Sequence, residues 1–153
     1  MVAAPSQGPN RLIFPSLAGF YAAASDIGYA LLRVTTGAIL FVHGWGKLHA
    51  GMGAVSASMA KNGLVPEFFF AGSAIFLETV GAICIAVGLF TRFFATALAI
   101  EMAIALSVAH LAKGFSVAQG GFEYVLLLGV VLFAIALQGG SSYSIDRMLP
   151  KEL

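Results

Sequence analysis

Residues 68–112 read FFFAGSAIFLETVGAICIAVGLFTRFFATALAIEMAIALSVAHLA, and this stretch decides the fold. It contains two apolar runs, residues 68–90 and 93–112, which are separated by a very short turn. A helix needs about 20 apolar residues to cross a bilayer, and each run is long enough to do so. Because the turn is so short, the two predicted membrane-spanning helices must be antiparallel neighbours in a hairpin.

One glutamate interrupts each apolar run, Glu78 in the first and Glu101 in the second. A carboxylate at membrane depth is costly unless it is paired with a cation, protonated or hydrated. At helical spacing, Gly81 and Ala82 lie beside Glu78, and Ala97 lies beside Glu101. Small residues of this kind allow helices to approach closely. Both carboxylates are therefore predicted to face the interior of a helix bundle.

The composition agrees with a membrane protein and excludes several other classes. Of the 153 residues, 59% are hydrophobic and 10% are charged, whereas soluble domains carry about 25% charged residues. The net charge of +1 and the scattered basic residues give no footprint for nucleic acid. The single cysteine, Cys84, rules out an intrachain disulfide, and no ligand spacing typical of a metal site within one helix is present.

Two more apolar segments flank the hairpin, at residues 27–48 and 122–138. The sequence therefore predicts an all-α protein, an integral membrane four-helix bundle with both termini on the same side of the membrane. These segments lack the apolar–polar alternation of outer-membrane barrel strands. A helical bundle is the other architecture that satisfies backbone hydrogen bonds in lipid.

Three regions result from this arrangement: a lead at residues 1–26 with a candidate interfacial helix at residues 16–25, a four-span membrane domain at residues 27–140, and a polar cytoplasmic tail at residues 141–153. Basic residues concentrate on the cytoplasmic side of a membrane protein. The side of the termini carries Arg11, Arg92, Arg147 and Lys151, and the other side carries Lys47, Lys61 and Lys113. The expected location is the bacterial cytoplasmic (inner) membrane, with cytoplasmic termini.

The first span carries a stripe that is predicted to face the bundle. Its members recur at helical spacing and combine cations with glycines: Arg33, Gly37, Leu40, Gly44 and Lys47. Arg33 lies six residues into the first span, and Glu101 lies about eight residues into the third from the same side. At about 1.5 Å per residue their depths are similar, which predicts an Arg33–Glu101 ion pair with Glu78 near the midplane.

The outer half of the predicted bundle holds the histidines and a further carboxylate. His43, His110 and Glu123 fall on that side and predict a small polar pocket there. His110 follows Glu101 by nine residues, which places the two side chains on opposite faces of an α-helix. The candidate polar interior and cofactor-binding site comprises Arg33, Glu78, Glu101, Glu123, His43 and His110.

These groups also allow structural interpretations. An ion pair of Arg33 can fix helix packing without any further role, and the two histidines can make ordinary hydrogen bonds near the membrane surface. Glu78, near the midplane, suits a proton relay or a hydrogen bond to a quinone headgroup.

Several short motifs occur in an order that is found in one family of membrane proteins. They are Leu32-Arg33, Gly37, Phe41, His43-Gly44 and Lys47-Leu48 in the first span, Glu78, Gly81, Gly88-Leu89 and Thr91-Arg92 in the second span and its turn, Gly120 to Tyr124 at the start of the fourth span, and Gly139 to Asp146 after it. In this combination the chain resembles the DoxX family of small four-span membrane proteins, over residues 27–149.

The resemblance implies a link to redox metabolism. Some members of the family are subunits of a thiosulfate:quinone oxidoreductase, and others are membrane partners in complexes tied to oxidative stress or sulfur metabolism. The resemblance also implies that Arg33, Glu78, Arg92 and Glu123 occupy recurrent polar positions, which makes them candidates for a quinone or small-molecule site. Fold-level analogy of this kind does not by itself establish a function.

Three functions are open at this point. The leading hypothesis is a membrane subunit of a redox system, linked to a quinone or a small sulfur compound and not necessarily catalytic itself. The second is a non-catalytic anchor that recruits a soluble enzyme, and the third is a small transporter or proton path through Glu78 and Glu101. The expected cofactor is a quinone. The expected partners are the lipid bilayer and either a second copy of the chain or a soluble redox protein.

Overall fold

A computed structural model describes residues 12–150 of the chain. These residues form helices, turns and loops, with no β-strand among them. Three helical segments are long and apolar enough to cross a membrane, and a fourth apolar helix is shorter. The predicted all-α membrane helical bundle is therefore confirmed. The predicted lead up to residue 11 and the last three residues of the predicted tail lie outside the described part of the chain.

The helices are numbered α1 to α6 in chain order. Their bounds are α1 Ala18–Ala50, α2 Met52–Lys61, α3 Glu67–Phe76, α4 Ala82–Val87, α5 Thr91–Ala105 and α6 Glu123–Gln138. Two π-helical turns, Leu77–Gly81 and Leu106–His110, join α3 to α4 and extend α5. The second span is thus continuous over Glu67–Val87, and the third over Thr91–Lys113.

The first span is longer than predicted. The helix α1 has 33 residues, or about 50 Å at 1.5 Å per residue, whereas the hydrocarbon core of a bilayer is about 30 Å thick. No proline lies between residues 16 and 65, so the helix continues from the segment expected at the interface into the span without a break. It ends at Gly51, whose φ of 84° suits a glycine.

Two helix pairs make up the bundle. The helix α1 packs along α4 and the π-helical turn before it, and α5 packs along α6. The short turn between α4 and α5 brings the two pairs together around a buried apolar core. Its largest fully buried members are Leu40, Ile85, Leu98, Leu132 and Ile135.

The predicted stripe of α1 does face the bundle. Its buried or half-buried members are Arg33, Gly37, Leu40, Gly44 and Lys47. A Cβ atom added at Gly37 would lie 2.5 Å from the carbonyl oxygen of Ala82, and one added at Gly44 would lie 2.5 Å from the backbone of Glu78. The two glycines therefore permit a backbone approach that no side chain at these positions would allow.

The tail folds back onto one end of the bundle. The backbone N–H of Asp146 donates to the carbonyl oxygen of Gly88 at 2.8 Å. The Asp146 carboxylate is 3% exposed and accepts hydrogen bonds from the backbone N–H groups of Phe90 and Thr91 at 2.7 and 2.9 Å. It thereby caps the start of α5, where the first N–H groups have no partner within the helix.

The early part of α1 lies at this same end. The Tyr29 hydroxyl donates to the carbonyl oxygen of Gly139 at 2.7 Å, and the Arg33 guanidinium donates to the carbonyl oxygen of Tyr143. We call this end of the bundle the tail end, and the end that carries α2 the cavity end.

Candidate functional site

A cavity of about 350 Å³ lies at the cavity end, between α2, α3 and α5. Four ionisable side chains line it: Lys47, Glu78, Glu101 and His110. Its apolar walls include Met59, Phe69, Phe70, Leu77, Ile100 and Met102. The cavity is thus a mostly apolar space with a small group of convergent polar side chains, which is typical of sites for small molecules.

Lys47 and Glu78 form an ion pair in the wall of the cavity. The Lys47 Nζ atom lies 2.5 Å from Glu78 Oε1, and the two side chains are 32% and 5% exposed. Gly44 lies about one turn before Lys47 on α1, and the absence of a side chain there brings α1 against the backbone of Glu78. The close approach therefore places the ammonium group within reach of the carboxylate.

Glu101 lies near the same depth as Glu78 because the hairpin is symmetric about its turn. Glu78 is eleven residues before Leu89, and Glu101 is eleven residues after Phe90, so the two carboxyl groups lie at a similar depth on antiparallel helices. In each of them the Oε2 atom is buried without a hydrogen-bond partner. Such a group is expensive unless something else satisfies it, and both line the cavity.

The predicted Arg33–Glu101 ion pair is wrong. Lys47 follows Arg33 by fourteen residues, or about 21 Å along the helix, and the cation at the level of the glutamates is Lys47. Arg33 lies at the tail end, 1% exposed, where its guanidinium donates to Tyr143 and lies 5.8 Å from the ring of Tyr29. Its Nε and Nη1 atoms are buried without a hydrogen-bond partner.

The structure also corrects the predicted position of His110. Regular α-helical periodicity predicts that His110 and Glu101 lie on opposite faces of the third span, yet both residues line the cavity. The π-helical turn Leu106–His110 accounts for the difference, because one extra residue in a turn rotates the residues after it by about 100°. His110 Nδ1 bonds to the carbonyl oxygen of Gly120 at 2.8 Å. Since a carbonyl oxygen only accepts, Nδ1 carries a proton, and Nε2 is left for another partner.

Three other polar side chains of the sequence analysis lie elsewhere. His43 is exposed, and its ring lies 6.1 Å from that of Tyr124. Glu123 Oε1 accepts a hydrogen bond from the backbone N–H of Val117 at 2.6 Å and so holds the loop before α6. Arg92 donates to carbonyl oxygens in the last turn of α6, including that of Leu137 at 2.7 Å. The cavity therefore brings together Glu78, Glu101 and His110, but not Arg33, His43, Glu123 or Arg92.

Lys47 is the one ionisable residue in the lining of the cavity that was not predicted as part of the site. The sequence held two signals for it, since Lys47 belongs to the bundle-facing stripe of α1 and follows Gly44 by about one turn. A further signal concerned Glu101. The equal distance of the two glutamates from the hairpin turn indicates that they share one depth.

The cavity opens at the surface of the bundle, and an apolar groove lies next to it. Phe69 and Ile100 line the cavity and are 65% and 56% exposed, so one wall reaches the outside between α3 and α5. Beside it, α5 and α6 enclose a groove of about 550 Å³ that is lined by apolar residues such as Ala103 and Phe133. Ile100 and Met102 line both spaces.

The fold and the site together define a polytopic helical membrane protein with a mostly apolar cavity that carries four ionisable side chains and opens between its spans. The chain belongs to the DoxX family. The sequence model of that family, described as DoxX, matches residues 28–111. The predicted resemblance is therefore confirmed.

Two curated relatives cover most of the chain. One is described as "Putative oxidoreductase CatD" from Bacillus subtilis (strain 168), which is 32% identical over 82% of this chain and 90% of its own length. Another is an uncharacterized protein of Haemophilus influenzae, which is 31% identical over 80% of this chain and 91% of its own length. No solved structure gives a significant match.

Proposed function

We propose that the chain is an integral membrane subunit of a redox system and that its cavity binds the headgroup of a membrane quinone. A single observation carries the proposal. Four ionisable side chains, Lys47, Glu78, Glu101 and His110, converge in an otherwise apolar cavity that opens laterally between two spans. Ionisable residues within spans are rare and commonly mark substrate or proton sites.

The shape of the site supports a lipid-soluble ligand. A ligand that enters between α3 and α5 comes from the surrounding lipid, because Phe69 and Ile100 at the opening face outward. A quinone has a polar ring and a long apolar tail. The ring suits the cavity, and the tail suits the adjoining groove between α5 and α6, which shares Ile100 and Met102 with it.

The charge of the site favours a quinone over a sulfur oxyanion such as thiosulfate. The cavity holds two carboxyl groups, and its one lysine is already paired with Glu78. An anion would therefore meet the carboxylates without a free cation to bind it. A neutral quinone carries no such penalty.

The proposed context is the bacterial cytoplasmic membrane, with the tail end on the cytoplasmic side. In the sequence, four basic residues (Arg11, Arg92, Arg147 and Lys151) fall on that side and three (Lys47, Lys61 and Lys113) on the other, a bias that favours this orientation under the positive-inside rule. The family of the chain and the printed description of its Bacillus subtilis relative as a putative oxidoreductase support a redox role. In this scheme a soluble redox protein or a second copy of the chain exchanges electrons with the bound quinone.

The test is to measure bound quinone in protein extracted directly into lipid nanodiscs from its own membrane. Wild-type protein is expected to carry close to one quinone per chain above the level in bulk lipid, measured by mass spectrometry after solvent extraction. Glu101→Gln is expected to lower occupancy, because it changes a carboxyl group in the cavity wall.

Glu123→Gln is the matched control, since Glu123 bonds to the loop at Val117 and does not line the cavity. It is expected to keep wild-type occupancy. Quinone at the bulk-lipid level in the wild type, or equal occupancy in wild type and Glu101→Gln, would refute the proposal.

A further inference from the structure

We infer that the cavity selects the reduced, dihydroxy form of its ligand, a quinol, over the quinone. The inference rests on the proposed function and concerns the hydrogen-bond chemistry of the same site. A quinone oxygen only accepts hydrogen bonds, whereas each quinol hydroxyl both donates and accepts. The two forms are nearly equal in size, so the balance of donors and acceptors in the wall decides between them.

One group of the cavity wall is a charged acceptor that remains unsatisfied. Glu78 is 4% exposed, and its Oε2 atom is buried without a hydrogen-bond partner. Because Glu78 is paired with Lys47, it is a carboxylate and only accepts. Glu101 Oε2 is also buried without a partner, but no cation of the described residues pairs with it, and a neutral carboxyl group donates as well as accepts. The selectivity therefore depends on Glu78.

The donors of the cavity do not distinguish the two forms, because the oxygen atoms of a quinone and of a quinol both accept. The Lys47 ammonium group bonds to Glu78 Oε1 and has further N–H groups, and Ser58 and Ser73 line the same space. A quinone ring leaves the buried Oε2 atom of Glu78 without a donor. A quinol satisfies that atom with a hydroxyl proton, and its own oxygen can still accept from Lys47.

A neutral aromatic donor fits the cavity better than a small organic cation. The Lys47 ammonium group is fixed at Glu78 in the same wall, and a second cation beside it would be repelled. The remaining lining is apolar and includes the rings of Phe69 and Phe70. A flat, uncharged ring can contact these walls without losing the solvation of a charge.

The expected preference follows from a hydrogen bond to a charged group. Forming one such bond in the quinol complex, and leaving it unmade in the quinone complex, changes affinity by about tenfold or more. The substitution Glu78→Gln exchanges the charged acceptor for a neutral amide. It is therefore expected to narrow the preference to within about threefold, chiefly by weakening the binding of the quinol.

The experiment is calorimetric titration of the full chain in lipid nanodiscs under argon with three matched probes. These are duroquinol, duroquinone and the dimethyl ether of duroquinol, which keeps the ring but has no hydroxyl to donate. Duroquinol is expected to bind about tenfold more tightly than either of the others. Glu123→Gln should keep that order of affinities, and Glu78→Gln should reduce the difference between duroquinol and the other two probes.

The outcomes separate the two proposals. If duroquinone or the dimethyl ether binds wild-type protein as tightly as duroquinol, the selectivity is refuted while the quinone site stands. If none of the three binds, the proposed function fails together with the selectivity. Saturable binding of benzylamine in place of all three would identify a site for organic cations and would likewise overturn the inference.

Discussion

The contact of Gly44 with the second span is open to a direct test by Gly44→Ala. In the native structure a Cβ atom at this position would lie 2.5 Å from the backbone carbon and oxygen of Glu78 and 2.8 Å from its Cβ. Ordinary van der Waals contact begins at 3.4 Å. The substitution therefore requires α1 and the second span to separate by about 0.9 Å, the difference between 3.4 Å and 2.5 Å, because backbone atoms cannot rotate away.

Two opposing terms set the expected size of the effect. Alanine is a better helix former than glycine by about 1 kcal/mol. Overpacking of a well-packed contact costs about 1–3 kcal/mol, and the rigid backbone contact places Gly44→Ala near the upper limit. The net result is a loss of about 1–2 kcal/mol in the free energy of unfolding. The separation also draws Lys47 away from Glu78 and should weaken ligand binding.

Gly46→Ala is the matched control, because nothing lies within 4 Å of an added Cβ on that residue of the same helix. It gains the helix propensity of alanine without the clash and should be more stable than wild type by up to about 1 kcal/mol. Unfolding by sodium dodecyl sulfate in mixed micelles, followed by circular dichroism, measures all three proteins. Equal stability of Gly44→Ala and Gly46→Ala would refute the close approach of α1 to Glu78.

Three further predictions concern buried or helix-capping polar groups. Asp146→Asn removes one charged acceptor from the start of α5 and should lower the free energy of unfolding by about 1.5–3 kcal/mol; an unchanged unfolding midpoint would contradict the cap. Lys47→Met leaves the buried carboxylate of Glu78 unpaired and should cost about 3–5 kcal/mol. Glu78→Gln should lower the free energy of unfolding by less, because Lys47 is one-third exposed and can turn outward. A double-mutant cycle measures the coupling energy between Lys47 and Glu78, and additive effects would show that the two side chains do not interact. Arg92→Gln removes donors from the last carbonyl groups of α6 and should speed amide hydrogen exchange there selectively, whereas uniform exchange across the bundle would argue against a local cap.

The overall fold could be predicted because it depends on properties that are local in sequence. The length of each apolar run predicts a membrane-spanning helix, and the very short turn after residue 90 requires the second and third helices to form an antiparallel hairpin. Helical periodicity also placed Gly44 and Lys47 on the buried side of α1, as the structure confirms. These inferences need only the rise and the period of an α-helix.

The candidate site was only partly predictable because it depends on contacts between distant segments. Arg33 was assigned to Glu101 from depth alone, but the tail supplies the carbonyl oxygen of Tyr143, which lies 110 positions further along the chain. His110 was placed on the wrong face because a π-helical turn changes the register of the third span. No residue pattern before that turn announces it, and such turns form where tertiary packing or function requires them.

The polar residues within the bundle divide by position into two groups with different physical roles. At the tail end, Asp146 and Arg92 satisfy the backbone groups that the ends of α5 and α6 leave unpaired. Those interactions fix the packing of the spans. At the cavity end, Glu78 and Glu101 each keep one buried oxygen unsatisfied, and a π-helical turn at Glu78 and another at His110 shape the wall around them. An unpaired buried acceptor costs stability, and a bound ligand or water is one way to complete it. The proposed ligand would have that role at Glu78 and Glu101, whereas the unsatisfied atoms at the tail end are the Nε and Nη1 donors of Arg33.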